Sequence, residues 1–259
     1  MTAATSHPVT THRKAPGRLV RALMAAELRV FLRQPVMLAL TLLLPAGLLA
    51  ITAIAETSDN PSVWAQIAGR NMIATQCITV YFVSLNTLTA RRHTLALKRL
   101  RTTALPGFGI VAGLLTPPLV VGAFQVVVVL AGLVLLGSPP PQSPFLVAVS
   151  ALLGILIAVL AGMVTSAFTA TPEKAQWTML PLFVATMGAV AVLPSVGDGL
   201  GSAGLRLVPL VSNAHLTTAG WWAQSSDLVA VFLDLAIMTV WIAVLSIIAW
   251  RTFRWERRN

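Results

Sequence analysis

The sequence predicts an all-α integral membrane protein with six transmembrane helices, an N-terminal interfacial amphipathic helix and a re-entrant outward loop before the last span. Three observations predict it. Of 259 residues, 56% are hydrophobic and only 10% charged, against about 25% charged in a soluble domain, so a soluble core has no room for the apolar surface. Six separate windows are long and apolar enough for helices of roughly 20 residues that cross about 30 Å of hydrocarbon. Lysine and arginine fall almost wholly in alternate connections, the distribution of the positive-inside rule. Assigning those connections to one side places 16 of the 18 cations there and leaves only Arg70 and Arg206 elsewhere. The net charge of +10 therefore reads as membrane topology, with both termini cytoplasmic, and not as a nucleic-acid surface.

Residues 1–16 are polar, with His7, Pro8, His12 and Pro16, and lack the apolar core and cleavage site of a signal peptide; they read as a disordered cytoplasmic tail. Residues 17–35 read as a helix lying in the membrane interface. At 100° per residue Arg18, Arg21, Arg29 and Arg33 share one face, and Leu19, Leu23, Ala26 and Val30 another. Glu27 interrupts the apolar side, and either snorkels to water or pairs with an arginine after the second span, Arg91 or Arg92. Gln34-Pro35 ends the helix, because the residue before proline is pushed out of helical angles.

A six-span domain follows over residues 36–250, with spans near 36–55, 67–90, 108–137, 144–170, 176–196 and 227–250. Span two carries Asn71, Thr75, Gln76, Thr79, Asn86, Thr87 and Thr89 within about a 160° arc of the helical wheel. Such a face points at a bundle interior or a water-filled path, not at lipid. Pro117-Pro118 should kink span three. In span four Ser150, Gly154, Ala158, Gly162 and Ser166 recur every four residues, a small-residue ridge along which backbones approach closely. Thr171-Pro172-Glu173 reads as a helix start with threonine as cap.

The outward connection, 197–226, is glycine-rich and then apolar, and ends in Trp221-Trp222, read as part of an interfacial aromatic belt. So apolar a segment is expected to dip back into the outer leaflet as short broken helices covered by protein. Asp234 lies within the last span and is a functional candidate by position; the alternative is a structural partner such as Arg206 or a loop backbone. Residues 251–259 form a basic cytoplasmic tail.

Several chemistries have no sequence support. The single cysteine, Cys77, excludes an intrachain disulfide and a Cys/His metal site. No G-x-x-x-x-G-K-[ST] is present, so any ATP hydrolysis must come from another subunit. An intramembrane hydrolase needs a serine and a histidine facing each other from different spans, and no histidine lies in a predicted span. His215, with Ser212 and Asn213, reads as a polar loop cluster. A non-transporting scaffold or immunity protein stays open.

Between spans two and three the segment 91–106, RRHTLALKRLRTTALP, interleaves Leu95, Leu97 and Leu100 with Lys98, Arg99 and Arg101. This is a short cytoplasmic amphipathic helix, or an ordinary basic inside loop. With that segment, "AELRVFLRQP" followed by "LLLPAGLLA", and an apolar outward loop ahead of the last span, the chain resembles over roughly residues 18–250 the permease subunit of ATP-binding-cassette type-2 exporters, a family of bacterial drug, antibiotic and polysaccharide exporters. Two departures stand out. Arg92-His93 replace a common Glu and Gly, and Val111-Ala112-Gly113 replace a frequent basic residue.

The resemblance implies a transport subunit of the bacterial cytoplasmic membrane that carries no cofactor of its own. It implies a partner ATPase holding ATP and Mg, and a second permease copy or related permease. It also implies Leu95, Leu97, Lys98, Arg99, Leu100 and Arg101 as the segment that couples to the ATPase. The apolar composition favours a hydrophobic or amphiphilic cargo such as a drug, antibiotic, lipid or peptide, with Asn71, Thr75, Thr79, Asn86 and Asp234 as candidates for its path.

Overall fold

Helix α1 (Pro16–Leu32) opens the chain in the computed structural model, which describes residues 16–55, 59–103, 105–196, 200–222 and 228–252. Every regular element among them is helical. The tails expected at residues 1–15 and 253–259 lie outside the described residues; Pro16 already belongs to α1, and Arg251 and Thr252 to the last helix. On α1 the four predicted arginines are exposed, while Leu19 and Leu23 are half-buried. Leu23 packs where a Cβ on Gly113 of the third span would lie 2.6 Å from its Cδ2, so glycine there lets α1 dock closely. The helix stops at the predicted Gln34-Pro35 step, and Pro35 begins the next.

Among the described residues six helices are long and apolar enough to cross a membrane. They are α2 (Pro35–Ala55); the continuous run of α3 (Pro61–Thr75), a π-helical turn (Gln76–Val80) and α4 (Tyr81–His93); α6 (Gly107–Leu135); α7 (Pro144–Phe168); α8 (Ala175–Val192), entered through a 3-10 turn at Pro172–Lys174; and α11 (Leu228–Thr252). Between α4 and α6 lies the short α5 (Ala96–Arg101), and between α8 and α11 lie α9 (Leu200–Arg206) and α10 (Val211–Trp221). Because successive spans alternate in direction, α1, α5 and the start of α8 gather at one end, called here the basic end. The links α2–α3 and α6–α7, with α9 and α10, lie at the far end.

Two boundaries differ from expectation. Span two begins at Pro61 and not near 67, because Asn60 caps it, its Oδ1 accepting from Ser62 N at 3.0 Å with Pro61 in the first turn. At the start of span five the Thr171 side chain makes no capping bond, and the chain enters by a 3-10 turn. The prolines Pro117 and Pro118 sit inside an unbroken α6.

The core is built from α3, α4, α7 and α10. The predicted ridge on α7 is buried throughout, from Ser150 to Ser166. A Cβ on Gly162 would lie 2.8 Å from Tyr81 O and 2.9 Å from Leu85 N, so glycine there lets α4 and α7 meet backbone to backbone. The bonds Ser84 Oγ to Val159 O (3.0 Å) and Tyr81 OH to Thr165 Oγ1 (3.0 Å) flank the contact. In contrast α2, α8 and α11 turn large apolar side chains outward, among them Leu43, Ile54, Trp177, Phe232 and Trp250, as helices facing lipid do.

Candidate functional site

The far end is organised by α10, which enters the bundle instead of crossing the surface. Its last turn is pinned to the α6–α7 link by Ser143 N to Gly220 O (2.8 Å) and Trp221 Nε1 to Ser138 Oγ (3.1 Å). Trp221 is therefore a buried anchor, 1% exposed, and not part of an interfacial belt; its indole N–H finds a protein acceptor inside the bundle. The first turn of α10 lies deeper. Asn213 donates through Nδ2 to Gln76 Oε1 and accepts at Oδ1 from Ser150 Oγ. Gln76 Nε2 reaches Ala151 O at 3.3 Å, and Ser150 Oγ meets Thr217 Oγ1 at 2.6 Å. Gly154, four residues past Ser150 on α7, leaves room for this knot: a Cβ there would collide with both Asn213 and Gln76. Ser150 is six residues, about 9 Å, into α7 at 1.5 Å per residue, which measures how far α10 reaches back along the bundle. The expected short broken helices are thus present as α9 and α10, with residues 197–199 and 223–227 of the loop outside the described residues.

Beside this knot stands a line of three ionisable groups from three helices. Asp234 on α11 is fully buried, and its Oδ2 lies 2.5 Å from His215 Nδ1 on α10. His215 Nε2 lies 3.2 Å from Arg206 NH2 at the end of α9. Arginine only donates and a carboxylate only accepts. The geometry thus fits an imidazole protonated on Nδ1 that donates to Asp234 and accepts from Arg206. Asp234 Oδ1 and Arg206 Nε are buried without hydrogen-bond partners among the described residues. Of the two partners foreseen for Asp234, Arg206 is reached only through His215, which does not sit in a polar loop cluster. Ser212 turns elsewhere, its Oγ donating to Arg206 O at 2.9 Å.

His215 and Arg206 also wall a cavity of about 410 Å³. Its other sides come from Arg70 on α3, Ser202 on α9, and Val190 and Leu193 at the end of α8. The two cations that fall outside the inside-positive pattern, Arg70 and Arg206, therefore share one chamber.

At the basic end Glu27 is 7% exposed and takes Arg91 as its partner, with NH2 at 2.6 Å and Nε at 3.2 Å from Oε2. Arg92 is buried and donates to the Thr169 carbonyl at the end of α7. This ties α1 to the end of α4, immediately before α5. Leu95 turns the chain with φ 58°, a left-handed conformation that costs a non-glycine residue on the order of 1–2 kcal/mol. Of the six coupling candidates, Leu97 is 1% exposed and inserted in the core, and Leu100 packs half-buried against it. Leu95, Arg99 and Arg101 are exposed. The Lys98 side chain lies outside the described residues.

The candidates for a path do not come together. Thr75 bonds back to its own helix, Asn71 Nδ2 approaches Thr52 Oγ1 at 3.5 Å, and Thr79 Oγ1 accepts from Gln125 Nε2 at 3.1 Å. Asn71 and Thr79 thus join neighbouring helices, and Thr75 is buried within its own. Asn86 lines a cavity of about 100 Å³ with Glu27 and Arg91, and Asp234 lies at the far end. Gln125 also donates to Thr41 O at 3.1 Å and leaves Oε1 unpartnered. It ties α2, α6 and the π turn together. One amide in a long apolar window barely dents its hydropathy, so only its rarity at membrane depth could have marked it.

Six spans around a buried polar knot define a multi-pass membrane protein. No protein-family model matches the chain, and no curated protein matches it.

Proposed function

We propose that this chain is the membrane-spanning permease subunit of an ATP-driven exporter of the type-2 ATP-binding-cassette kind, seated in the bacterial cytoplasmic membrane with its basic end inside. It moves a hydrophobic or amphiphilic substrate outward, and a separate ATPase subunit binds and hydrolyses the nucleotide. The observation that carries this reading is the build of the basic end. Leu97 plugs α5 into the bundle while Arg99, Arg101 and Leu95 face outward, and the Glu27–Arg91 pair braces the joint against α1. A helix anchored by Leu97 and Leu100 and presenting cations on its exposed side offers a handle to another protein. Asn71 and Thr79 are occupied between helices of one subunit and Thr75 within its own helix, so the substrate path is assigned to outward faces and to the junction with a second permease.

The test places cysteine at position 99 or 101 and at exposed Arg251 as a control. Cys77 is fully buried and stays silent. With a short bifunctional crosslinker in native membranes, adducts from 99 and 101 should contain a P-loop ATPase, and adducts from 251 should not. If 99 and 101 never reach a nucleotide-hydrolysing protein in the assembled complex, the exporter reading fails and a membrane scaffold is left.

A further inference from the structure

The far-end chamber holds more positive charge than its own residues neutralise. Arg70 and Arg206 bring two guanidinium charges to its wall, and neither has a carboxylate partner among the described residues. The carboxylate closest to them in the hydrogen-bonded line is Asp234, whose Oδ2 is committed to His215. Counting His215 as neutral, two positive charges stand against one negative among the described residues, and Arg206 Nε is buried with no acceptor among them. Arg206 is half-buried and Arg70 exposed on the same wall, so the unneutralised charge lies open to a negatively charged visitor, which it would hold by charge-assisted bonds. Its volume of about 410 Å³ falls in the roughly 300–1,000 Å³ range of small-molecule sites.

A second feature adjoins it. Leu207, the residue after Arg206, lines an apolar groove of about 370 Å³ along α11, with Ile237, Val240 and Trp241. Trp241 Nε1 donates to Leu207 O at 2.9 Å and so holds the end of α9 against α11. Cationic chamber and apolar groove thus flank one peptide unit, Arg206–Leu207, at the end of α9.

We infer that the chamber binds the anionic head of an amphiphile, a phosphate or carboxylate group, with its hydrocarbon tail laid in the α11 groove. Arg70 and Arg206 donate to the head in charge-assisted bonds. His215 is a positioning residue: braced by Asp234, it holds the Arg206 guanidinium at the chamber wall. The inference stands apart from the exporter reading, because such a molecule could be cargo or a resident lipid.

The experiment uses the full chain purified in a neutral detergent, with thermal unfolding and native mass spectrometry as readouts. Phosphatidylglycerol supplies head and tail, inorganic phosphate the head alone, and phosphatidylcholine a tail with a zwitterionic head. Phosphatidylglycerol should stabilise the protein saturably and be retained in the mass spectrum, and phosphatidylcholine should do neither at equal concentration. Arg70→Gln, at an exposed side chain without hydrogen bonds to the described residues, should fold and weaken the effect by about tenfold, the scale of one charge-assisted bond. Arg206→Gln should weaken it at least as much, and Arg251→Gln at the opposite end should leave it unchanged. Stabilisation by inorganic phosphate that Arg70→Gln abolishes would keep the anion site and identify a free anion as its source. Equal stabilisation of wild type and Arg70→Gln by phosphatidylglycerol, or no response to either anion, overturns the proposal.

Discussion

Gly162→Ala tests the packing on which the whole bundle rests. The added Cβ would lie 2.7 Å from Ser84 Cβ, 2.8 Å from Tyr81 O and 2.9 Å from Leu85 N. Two of these are backbone atoms in mid-helix, so no side-chain rotation relieves the contact. Restoring an ordinary separation requires α4 and α7 to part by about 0.6 Å. The flanking bonds, Ser84 Oγ to Val159 O and Tyr81 OH to Thr165 Oγ1, both start at 3.0 Å and would stretch to about 3.6 Å, beyond useful hydrogen-bond length. Interhelical bonds inside a membrane contribute about 0.6 kcal/mol each, and overpacking a tight contact costs about 1–3 kcal/mol. The expected destabilisation is therefore about 2–4 kcal/mol, or roughly 4–16 °C in midpoint for a chain of this size. Thermal unfolding in detergent measures it, with Gly188→Ala as control, because a Cβ at Gly188 meets nothing within 4 Å. If Gly162→Ala melts with Gly188→Ala and wild type, the α4–α7 contact is looser than described and the reasoning fails.

Four further outcomes follow from named contacts. Exchanging Glu27 and Arg91 for each other should restore most of the stability that either single charge change loses, about 1–3 kcal/mol, in a double-mutant cycle read by unfolding; no recovery would sink the pairing. Asp234→Ala strands His215 and Arg206 beside a hole and should cost about 3–5 kcal/mol, whereas Asp234→Asn, which keeps an acceptor, should cost clearly less; equal losses would show that the acceptor does not matter. Gln125→Met removes an amide whose Oε1 is already unsatisfied and should stay within about 1 kcal/mol of wild type, while Gln125→Ala opens a cavity worth about 2–4 kcal/mol; a large loss in the methionine variant would mean that its two donated bonds dominate. Cys77 should resist maleimide in the folded protein and react on denaturation, and rapid native labelling would contradict its burial.

The spans were legible because each is a long apolar window, and no other fold disposes of so much hydrocarbon. Glu27 was legible for the opposite reason, as a carboxylate on an apolar helix face needs a cation, and the arginines after span two offer one. The α7 ridge was readable from spacing alone, since small residues four apart have no other common purpose on a lipid-exposed scale. His215 and Asp234 were not paired in advance, because their meeting depends on α10 folding back into the bundle, a tertiary event that no local period records. Trp221 misled for a related reason: a Trp-Trp pair after an apolar loop matches an interfacial belt statistically, but the acceptor Ser138 that draws the first indole inward lies 83 residues away.

The longest helical run connects the two ends of the molecule mechanically. From Pro61 to His93 it has 33 residues, about 50 Å at 1.5 Å per residue, more than the hydrocarbon thickness it crosses. Its basic end carries Arg91 and leads directly into α5; its middle carries Gln76, locked to Asn213; its far end carries Arg70, on the wall of the cationic chamber. The only departure from α-helical hydrogen bonding along it is the π turn at Gln76–Val80, the segment where α10, α7 and Gln125 all attach. A π turn loosens the backbone ladder at one level, so side-chain bonds from neighbouring helices set the angle between the two halves there. Under the exporter reading proposed above, the Gln76–Asn213 knot would join the α5 end of this run to α10 and the chamber. A cysteine crosslink locking α10 to α3 should uncouple the two ends, whereas one locking α2 to α6 should not. Loss of coupling with both crosslinks, or with neither, would mean that force passes along another route.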